Sequence, residues 1–369
     1  MMELVRQAII PVRGRFGFDE ATTRRIETFI LPLLAILTGL VLFGGFIACL
    51  GKSPFELYML IWRGSFGTFF SLQNSLQSSV PLLLTSLCVA LPAQLGLIII
   101  GGEGAVMLGG LAAAWVGTYL AGTGAAGMML MALCGALTGA LWIGLAGALR
   151  LWRGVNETIS SLLLSYLAVA IFNFLVQGPL RDPASLDMPS TRPLAADLQI
   201  GDIPGWAVDW GFVIGCCCCL LAAFIVNRTS FGFAARIVGG NMRAAAVQGL
   251  PVGKLLLCFT AAGGAAAGLA GMIQVSAVQE SANSALNAGY GYTGILIAFL
   301  ARQNPVAIIP MSVLIGGLEA SGGFVQQRLN LPNATILVLE GLLFVMILAF
   351  ETLNGRFLPR LRRNAEGLT

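Results

Sequence analysis

Four glutamates are the charged residues of this chain whose positions suggest a chemical function. They lie in or near long apolar stretches whose interiors lack Asp, Lys and Arg: Glu103, Glu280, Glu319 and Glu340. A carboxylate in apolar surroundings is costly and marks a functional site, unless it is protonated or hydrogen-bonded to a neighbouring helix. For Glu319 and Glu340 we favour this alternative, in which the carboxyl group is protonated or hydrogen-bonded to a neighbouring helix. Glu103 is flanked by glycines that allow a helix to begin, so it could stabilise the helix start or face a path through the protein.

Residues for enzymatic chemistry are missing. The chain has no His, and the run Cys216 to Cys219 points in four directions on a helix, so it cannot share one metal ion. The stretch "GGFIACLGKS" at 44–53 resembles a phosphate loop, but Phe46 stands where the first Gly is required and no strand precedes it. We therefore expect a protein that is not an enzyme, binds no metal or cofactor and hydrolyses no ATP itself.

The elements that position these residues follow from composition. Of 369 residues, 57% are hydrophobic and 10% are charged, whereas soluble domains are about 25% charged. Apolar runs of roughly 20 residues indicate membrane-spanning helices, and thus an all-α polytopic membrane protein. We predict about ten transmembrane helices, near 29–50, 76–91, 105–121, 127–149, 157–177, 209–227, 252–273, 291–301, 305–322 and 333–351.

Positive charge sets the orientation, because cytoplasmic loops carry an excess of Lys and Arg. Arginines gather in the 1–28 segment, at Arg150 and Arg153, in the 228–251 loop, at Arg302 and in the 352–369 tail. The 178–208 loop has four Asp against two Arg and is expected outside. The predicted domains are therefore a cytoplasmic segment 1–28, a transmembrane domain 29–351 with a periplasmic loop 178–208 and a cytoplasmic loop 228–251, and a cytoplasmic tail 352–369.

Two polar, glycine-containing stretches interrupt the apolar pattern, "PAQLGLIIIGGEG" at 92–104 and "QVSAVQESANSALNAGYGY" at 274–292. The span that follows the second stretch has only about eleven residues. Short segments at matching places in two halves predict broken helices near 92–104 and 274–301 and two related, inverted halves whose breaks meet near the midplane.

Polar residues at the breaks and in nearby spans are the candidates for a solute path: Gln94, Glu103, Asn173, Gln274, Asn283, Asn287, Tyr290 and Tyr292. Amide and aromatic groups together can hydrogen-bond and stack on a small polar ligand. The alternative for the residues from Asn283 to Tyr292 is an external loop that caps the helix bundle.

The 228–251 loop carries basic residues and no Asp or Glu. Topology alone explains this charge. The segment "NMRAAAVQG" in it predicts a short helix, with Asn241 as N-cap, an Ala-rich body, and Gly249 followed by Pro251 as the stop.

Four stretches resemble permease subunits of bacterial ATP-binding-cassette importers, in the nucleoside and purine branch that is kin to ribose and branched-chain amino acid permeases. They are "IIGGEGA" at 99–105, "GFAARIVGGNMRAAAVQGL" at 232–250, "VNETISSLLLSYLA" and "GYTGILIAFLARQNP". The resemblance covers about residues 75–350. Ile99 and Ala105 depart from the Asn and Gln of the family pattern.

The resemblance implies that the 228–251 loop contains a coupling helix that lies in a groove of an ATPase subunit. The coupling residues would be Arg236, Asn241, Met242, Arg243, Ala244, Ala245, Val247, Gln248 and Gly249. The implied partners are a second permease in a heterodimer, two ATPase domains, an external solute-binding protein and the lipid bilayer, without nucleic acid. The implied location is the bacterial inner membrane, with both termini cytoplasmic.

The resemblance also implies a nucleoside, purine or related heterocycle as solute, with a simple sugar as the alternative. A rival class is an ion-coupled secondary transporter that works alone and uses Glu103 or Glu340 as its ion site. For the 228–251 loop itself, the alternative to coupling is a basic loop on the membrane surface.

Overall fold

The computed structural model describes residues 20–185, 188–332 and 334–351, without the side chains of residues 20–32 and 351. The predicted tail 352–369 and most of the predicted segment 1–28 lie outside these residues. In the described part of that segment the first helix already begins at Glu20; the cytoplasmic location of residues 1–28 stays a prediction.

The described residues form helices in this order: α1 Glu20–Cys49, α2 Pro54–Ser65, α3 Phe69–Ala93, α4 Gly102–Gly117, α5 Ala125–Arg153, α6 Glu157–Gln177, α7 Trp210–Arg228, α8 Ser230–Gly240, α9 Met242–Val247, α10 Val252–Gln274, α11 Tyr290–Leu300, α12 Pro305–Leu329 and α13 Ala334–Glu351. Short 3₁₀ turns at Ala196–Leu198 and Ser284–Leu286 lie between them, and a π-helical turn, Val275–Gln279, extends α10. The all-α polytopic membrane fold is as predicted.

The predicted count of ten spans is not confirmed. Each predicted span overlaps a helix, but six helices of the described chain are long and apolar enough to cross a membrane: α3, α5, α6, α7, α10 and α12. A seventh span results if Leu33–Cys49 and Pro54–Ser65 form one broken crossing. The helices α4 and α11 have 16 and 11 residues, fewer than the roughly 20 that a full crossing needs.

The two predicted breaks are present. Helix α3 ends at Ala93 and α4 begins at Gly102, while α10 ends at Gln274 and α11 begins at Tyr290. The 178–208 loop lies over the second break through backbone bonds: Thr191 N donates to Ala282 O at 3.0 Å, Leu194 N to Glu280 O at 2.8 Å and Ile200 N to Ser276 O at 3.0 Å.

Helices α5 and α10 pack backbone against backbone. Gly135 and Gly139 on α5 face Gly264 and Gly268 on α10. A Cβ on Gly139, Gly264 or Gly268 would collide with backbone atoms of the other helix, and a Cβ on Gly135 would lie 3.1 Å from Gly268 O. Such small residues four positions apart let membrane helices approach closely and gain van der Waals contact. Helix α10 also packs against α3 and α4, which places it at the centre of the compact unit 47–340.

The unit 47–340 contains every residue of the predicted solute path and of the 228–251 loop. The described residues 20–46 and 341–351 belong to a second unit. Within that second unit Gly39 on α1 packs against Leu343 on α13, where a Cβ would come within 2.9 Å of Leu343 Cδ2.

Candidate functional site

The non-helical segment before α4 is held by hydroxyl groups on α6. Thr158 Oγ1 donates to Ile98 O at 2.8 Å, and Ile100 N donates to Ser161 Oγ at 3.1 Å. Residues three apart on a helix share a face, so Thr158 and Ser161 together bond this broken stretch. Backbone groups inside a membrane protein must be bonded, and these hydroxyls satisfy groups that a continuous helix would have paired internally.

Glu103 joins the two broken regions. It is fully buried in the first turn of α4. Its Oε1 accepts from Gly289 N at 2.9 Å and its Oε2 from Gly291 N at 2.6 Å. The first amides of a helix lack internal partners, and the helix dipole favours an anion there. The Glu103 carboxylate therefore caps α11 from another helix, and this geometry supports the structural alternative for Glu103.

Two glycines make this junction possible. Gly289 has φ +88°, a left-handed conformation that glycine adopts without strain. At Gly291 an added Cβ would meet the backbone of Glu103 and lie 2.8 Å from the Gly102 carbonyl carbon. The starts of α4 and α11 consequently touch through their backbones.

From this meeting point α4 and α11 run to opposite ends of the unit. The last residue of α4, Gly117, packs on Leu194 of the 178–208 loop. The turn after α11 is bonded to the end of α3, since Gln94 Nε2 donates to Gln303 O at 3.0 Å. Gln94 in turn contacts Gly239 of the 228–251 loop. Two half-helices that begin together and diverge are what inverted halves require, so this arrangement supports the predicted repeat.

A second carboxylate reaches the first turn of α11. Thr293 Oγ1 donates to Glu340 Oε2 at 3.2 Å, while Glu340 Oε1 is buried without a hydrogen-bond partner. Glu319 interacts electrostatically with both Glu340 and Glu103. The start of α11 is therefore surrounded by the carboxylates that the sequence singled out at membrane depth, except Glu280, which lies in the break and has φ +54°.

Three of the five tyrosines of the chain lie near this junction. Tyr290 lies near Glu103 and Glu319, and Tyr292 lies near Tyr166 and Glu103. Tyr292 is 42% exposed and Tyr166, in the middle of α6, is 60% exposed. No pattern in the sequence marks Tyr166, because only the packing of α6 on α4 brings it near Tyr292. These tyrosines offer aromatic faces and hydroxyls next to the helix junction.

The other candidates for the solute path are dispersed. Asn173 lies near the end of α6 and is half-buried, and Gln274 ends α10 with its Oε1 buried and unpartnered. Asn283 Oδ1 caps the 3₁₀ turn by accepting from Ala285 N at 2.9 Å, and its Nδ2 donates to Gln279 Oε1 at 3.3 Å. Asn287 is exposed. The structure brings Glu103, Tyr290 and Tyr292 together and leaves Asn283 and Asn287 at the two ends of the 3₁₀ turn within the second break.

The 228–251 loop contains the predicted short helix and one more. Asn241 Oδ1 accepts from Arg243 N and Ala244 N, both at 3.0 Å, and thereby begins α9. Gly249 follows it with φ +84°, as a helix stop requires. Helix α8 was not predicted. It begins at Ser230 and is capped by Thr229, whose Oγ1 accepts from Gly232 N at 3.2 Å.

Helix α9 presents an open basic and apolar surface. Within α9 the side chain of Ala245 is buried, whereas Arg243 and Ala244 are exposed and Val247 is 89% exposed. Arg236, on the preceding helix α8, is exposed as well. The described side chains form one ion pair, between Arg150 Nε and Glu157 Oε2 at 3.3 Å. Arg236 and Arg243 therefore have no acidic partner among the described side chains. A smooth, positively charged helix of this kind is suited to dock in an acidic groove.

Comparison with known proteins identifies relatives along most of the chain. The family described as "Branched-chain amino acid transport system / permease component" matches residues 71–348. The glucose ABC transporter permease protein TsgB13 of Haloferax volcanii is 30% identical over 330 residues, 87% of each chain. The guanosine ABC transporter permease protein NupP of Bacillus subtilis is 26% identical, over 88% of this chain and 94% of NupP.

A third relative is the nucleoside ABC transporter permease protein NupB of Lactococcus lactis subsp. cremoris, 22% identical over 89% of this chain and 92% of NupB. No solved structure matches the chain. These relatives are transport permeases, and their names include both nucleoside and sugar transport.

Proposed function

Because the chain belongs to the branched-chain amino acid transport system permease family, and is an ABC transporter permease of the nucleoside and sugar type, we propose that it imports a nucleoside, purine or related heterocycle. Transport would proceed by alternating access. The energy would come from ATP hydrolysed by partner ATPases, with no cofactor on this chain.

The observation that carries this proposal is the capped, surface-exposed helix α9. Six residues form too short a helix to be stable alone, yet Asn241 caps it with two bonds and Ala245 anchors it in the protein. Its exposed side carries Arg243 and Val247. A helix fixed in this way can transfer a displacement of a docked ATPase subunit to the rest of the permease. The remaining coupling residues, from Arg236 to Gly249, would form the edges of the same docking surface.

The family implies an ATPase and an external solute-binding protein as partners. We extend this to two ATPase domains and a second permease that forms a heterodimer with this chain. Both termini and the 228–251 loop would face the cytoplasm, in keeping with their positive charge, and the chain would lie in the inner membrane of a bacterium.

The tyrosines at the helix junction favour a heterocycle as the solute. Tyr166 and Tyr292 are exposed at the level where α11 begins, and Tyr290 follows the Gly289 cap. Aromatic faces stack on nucleobases whatever their sequence of donors and acceptors, and phenol hydroxyls can bond the ring edges. We place the solute here during transport, with Asn173 and Gln274 as further groups along the path.

Uptake kinetics test this assignment. In proteoliposomes that contain the complete transporter, we expect saturable uptake of labelled guanosine or adenosine that excess glucose or ribose does not inhibit. Tyr292→Ala and Tyr166→Ala should each raise the KM for the nucleoside by about tenfold, because each removes one stacking face.

The matched control is Tyr119→Ala, since Tyr119 is exposed but packs edge-on against Trp115 at the far end of α4. It should leave the KM unchanged. Inhibition by sugars but not by nucleosides would assign the chain to sugar transport. A normal KM for both tyrosine variants would show that the solute does not bind at this junction.

A further inference from the structure

Helix α11 is held at both ends by one stretch of chain, residues 94–103. At its start, the carboxylate of Glu103 accepts from Gly289 N and Gly291 N at 2.9 and 2.6 Å. Past its end, the side chain of Gln94 donates to Gln303 O at 3.0 Å. Eleven helical residues span about 16 Å, and the ten residues from Gln94 to Glu103 are long enough to run beside them. We call residues 94–103 the strap.

The strap touches the 228–251 loop at its Gln94 end. A Cβ on Gly239 would collide with the Gln94 carbonyl oxygen, and a Cβ on Gly96 would lie 3.4 Å from Gly239 O. The two segments therefore meet backbone to backbone, without flexible side chains between them. Gly239 lies two residues before Asn241, which begins α9. A displacement of α9 is thus transferred to Gln94 through close-packed backbone.

The turn that Gln94 bonds is itself strained. Arg302 and Gln303 have φ +51° and +58°, two consecutive non-glycine residues in the left-handed region. Such residues persist only where the surroundings hold them. Gln94 Nε2 supplies one such hold on Gln303 O, and Gln303 N donates to Ala298 O at 2.8 Å inside α11. The bond from Gln94 therefore acts on a turn that is continuous with α11.

We propose that Gln94 and Glu103 are positioning residues which tie both ends of α11 to the strap, so that movement of the 228–251 loop displaces α11 and the tyrosines at its start. This inference rests on the proposed function, because the movement is supplied by a docked ATPase. It assigns Gln94 to transmission rather than to the solute path. It also explains why the Glu103 oxygens are both bonded to α11 amides.

The number of solute molecules imported per ATP hydrolysed tests the strap in the complete reconstituted transporter. Gln94→Glu keeps the side-chain length but loses the N–H donor, and Glu103→Gln keeps the shape but loses one acceptor oxygen. Each should lower the number of solute molecules imported per ATP by about threefold to tenfold, the change in an equilibrium that the loss of one hydrogen bond produces. The double variant should be no worse than the worse single variant, because releasing either end already frees α11. Losses that multiply would show independent roles and overturn the proposal.

The matched control is Gln327→Glu, the same chemical change at an exposed side chain near the end of α12. It should leave the ratio at the wild-type value. If Gln327→Glu lowers the ratio as much as Gln94→Glu does, the effect comes from added charge and the strap is refuted.

Hydrogen–deuterium exchange of the chain alone in nanodiscs separates the strap from the proposed function. Gln94→Glu and Glu103→Gln should each raise amide exchange at both ends of α11, in residues 289–293 and 301–304. Faster exchange only at the end that lost its bond would show that the ends are not tied, and would overturn the proposal. Absence of ATP-driven uptake by the wild-type complex would refute the proposed function, while the exchange result would still decide the strap.

Discussion

Two asparagines form the same N-cap hydrogen bonds on helices of very different length. Asn156 caps α6 by accepting from Thr158 N and Ile159 N at 2.9 and 3.2 Å. Asn241 caps α9 in the same way at 3.0 Å. Helix α6 has 21 residues packed in the bundle, whereas α9 has six. The cap is therefore a small part of what holds α6 and a large part of what holds α9.

Asn241→Ala should reduce transport, because the loss of an N-cap costs about 1 kcal/mol and a six-residue helix has little else to hold it. We expect the rate of ATP-driven uptake to fall by about fivefold, measured with equal amounts of assembled complex. Asn156→Ala removes an equivalent cap and should change the rate by less than about twofold. Equal effects of the two substitutions would argue against a coupling role for α9.

Residues differ in how far the sequence could predict them. The Asn241 cap and the Gly249 stop depend on neighbours within a few positions, so local chemistry was sufficient. Glu103 was singled out because it is a charge in an apolar run, but the choice between its two roles needed Gly289 and Gly291, which are distant in sequence. Tyr166 and the bond of Gln94 to Gln303 depend wholly on tertiary packing, and no spacing in the sequence signals them.

At the scale of helices, the breaks were predictable and the extra helices were not. Polar, glycine-rich stretches interrupt the apolar pattern at 92–104 and 274–292, so the short α4 and α11 followed from composition. Helices α2 and α8 are absent from the prediction because each, with 12 and 11 residues, is too short to be a span by itself. Ser53 with Pro54, and Thr229, are local signals for the start of a helix. They do not depend on the long apolar runs that indicate membrane spans.

The crossing of α5 and α10 gives a prediction at this scale. Gly139→Ala should lower the Tm of the detergent-solubilised protein, because the new Cβ would collide with the Gly264 carbonyl oxygen and such overpacking costs about 1–3 kcal/mol. Gly144→Ala, on the same helix, adds a Cβ whose nearest neighbour is Ala261 Cβ at 3.8 Å, an ordinary contact. It should leave the Tm unchanged or raise it. Equal Tm values for the two variants would contradict backbone contact at this crossing.

At the scale of the whole molecule, we propose that the solute site and the energy input lie at different points of the unit 47–340 and are connected by the strap and α11. The tyrosines lie where α4 and α11 begin, and α9 lies in the basic 228–251 loop. The strap and α11 run between these two regions. Composition was enough to predict an all-α membrane protein, and motif resemblance to predict an ABC permease. The connection between the two regions depends on contacts that only the folded chain shows.

We propose that ATP hydrolysed on a partner chain drives this permease. The direct test is nucleoside uptake by the complete transporter in proteoliposomes, with wild-type ATPases and with ATPases whose phosphate-loop Lys is replaced. We expect that uptake requires ATP, stops with the inactive ATPases, and is not restored by a proton or sodium gradient. Uptake that continues with inactive ATPases and follows an ion gradient would contradict it, and would indicate a secondary transporter that uses Glu103 or Glu340.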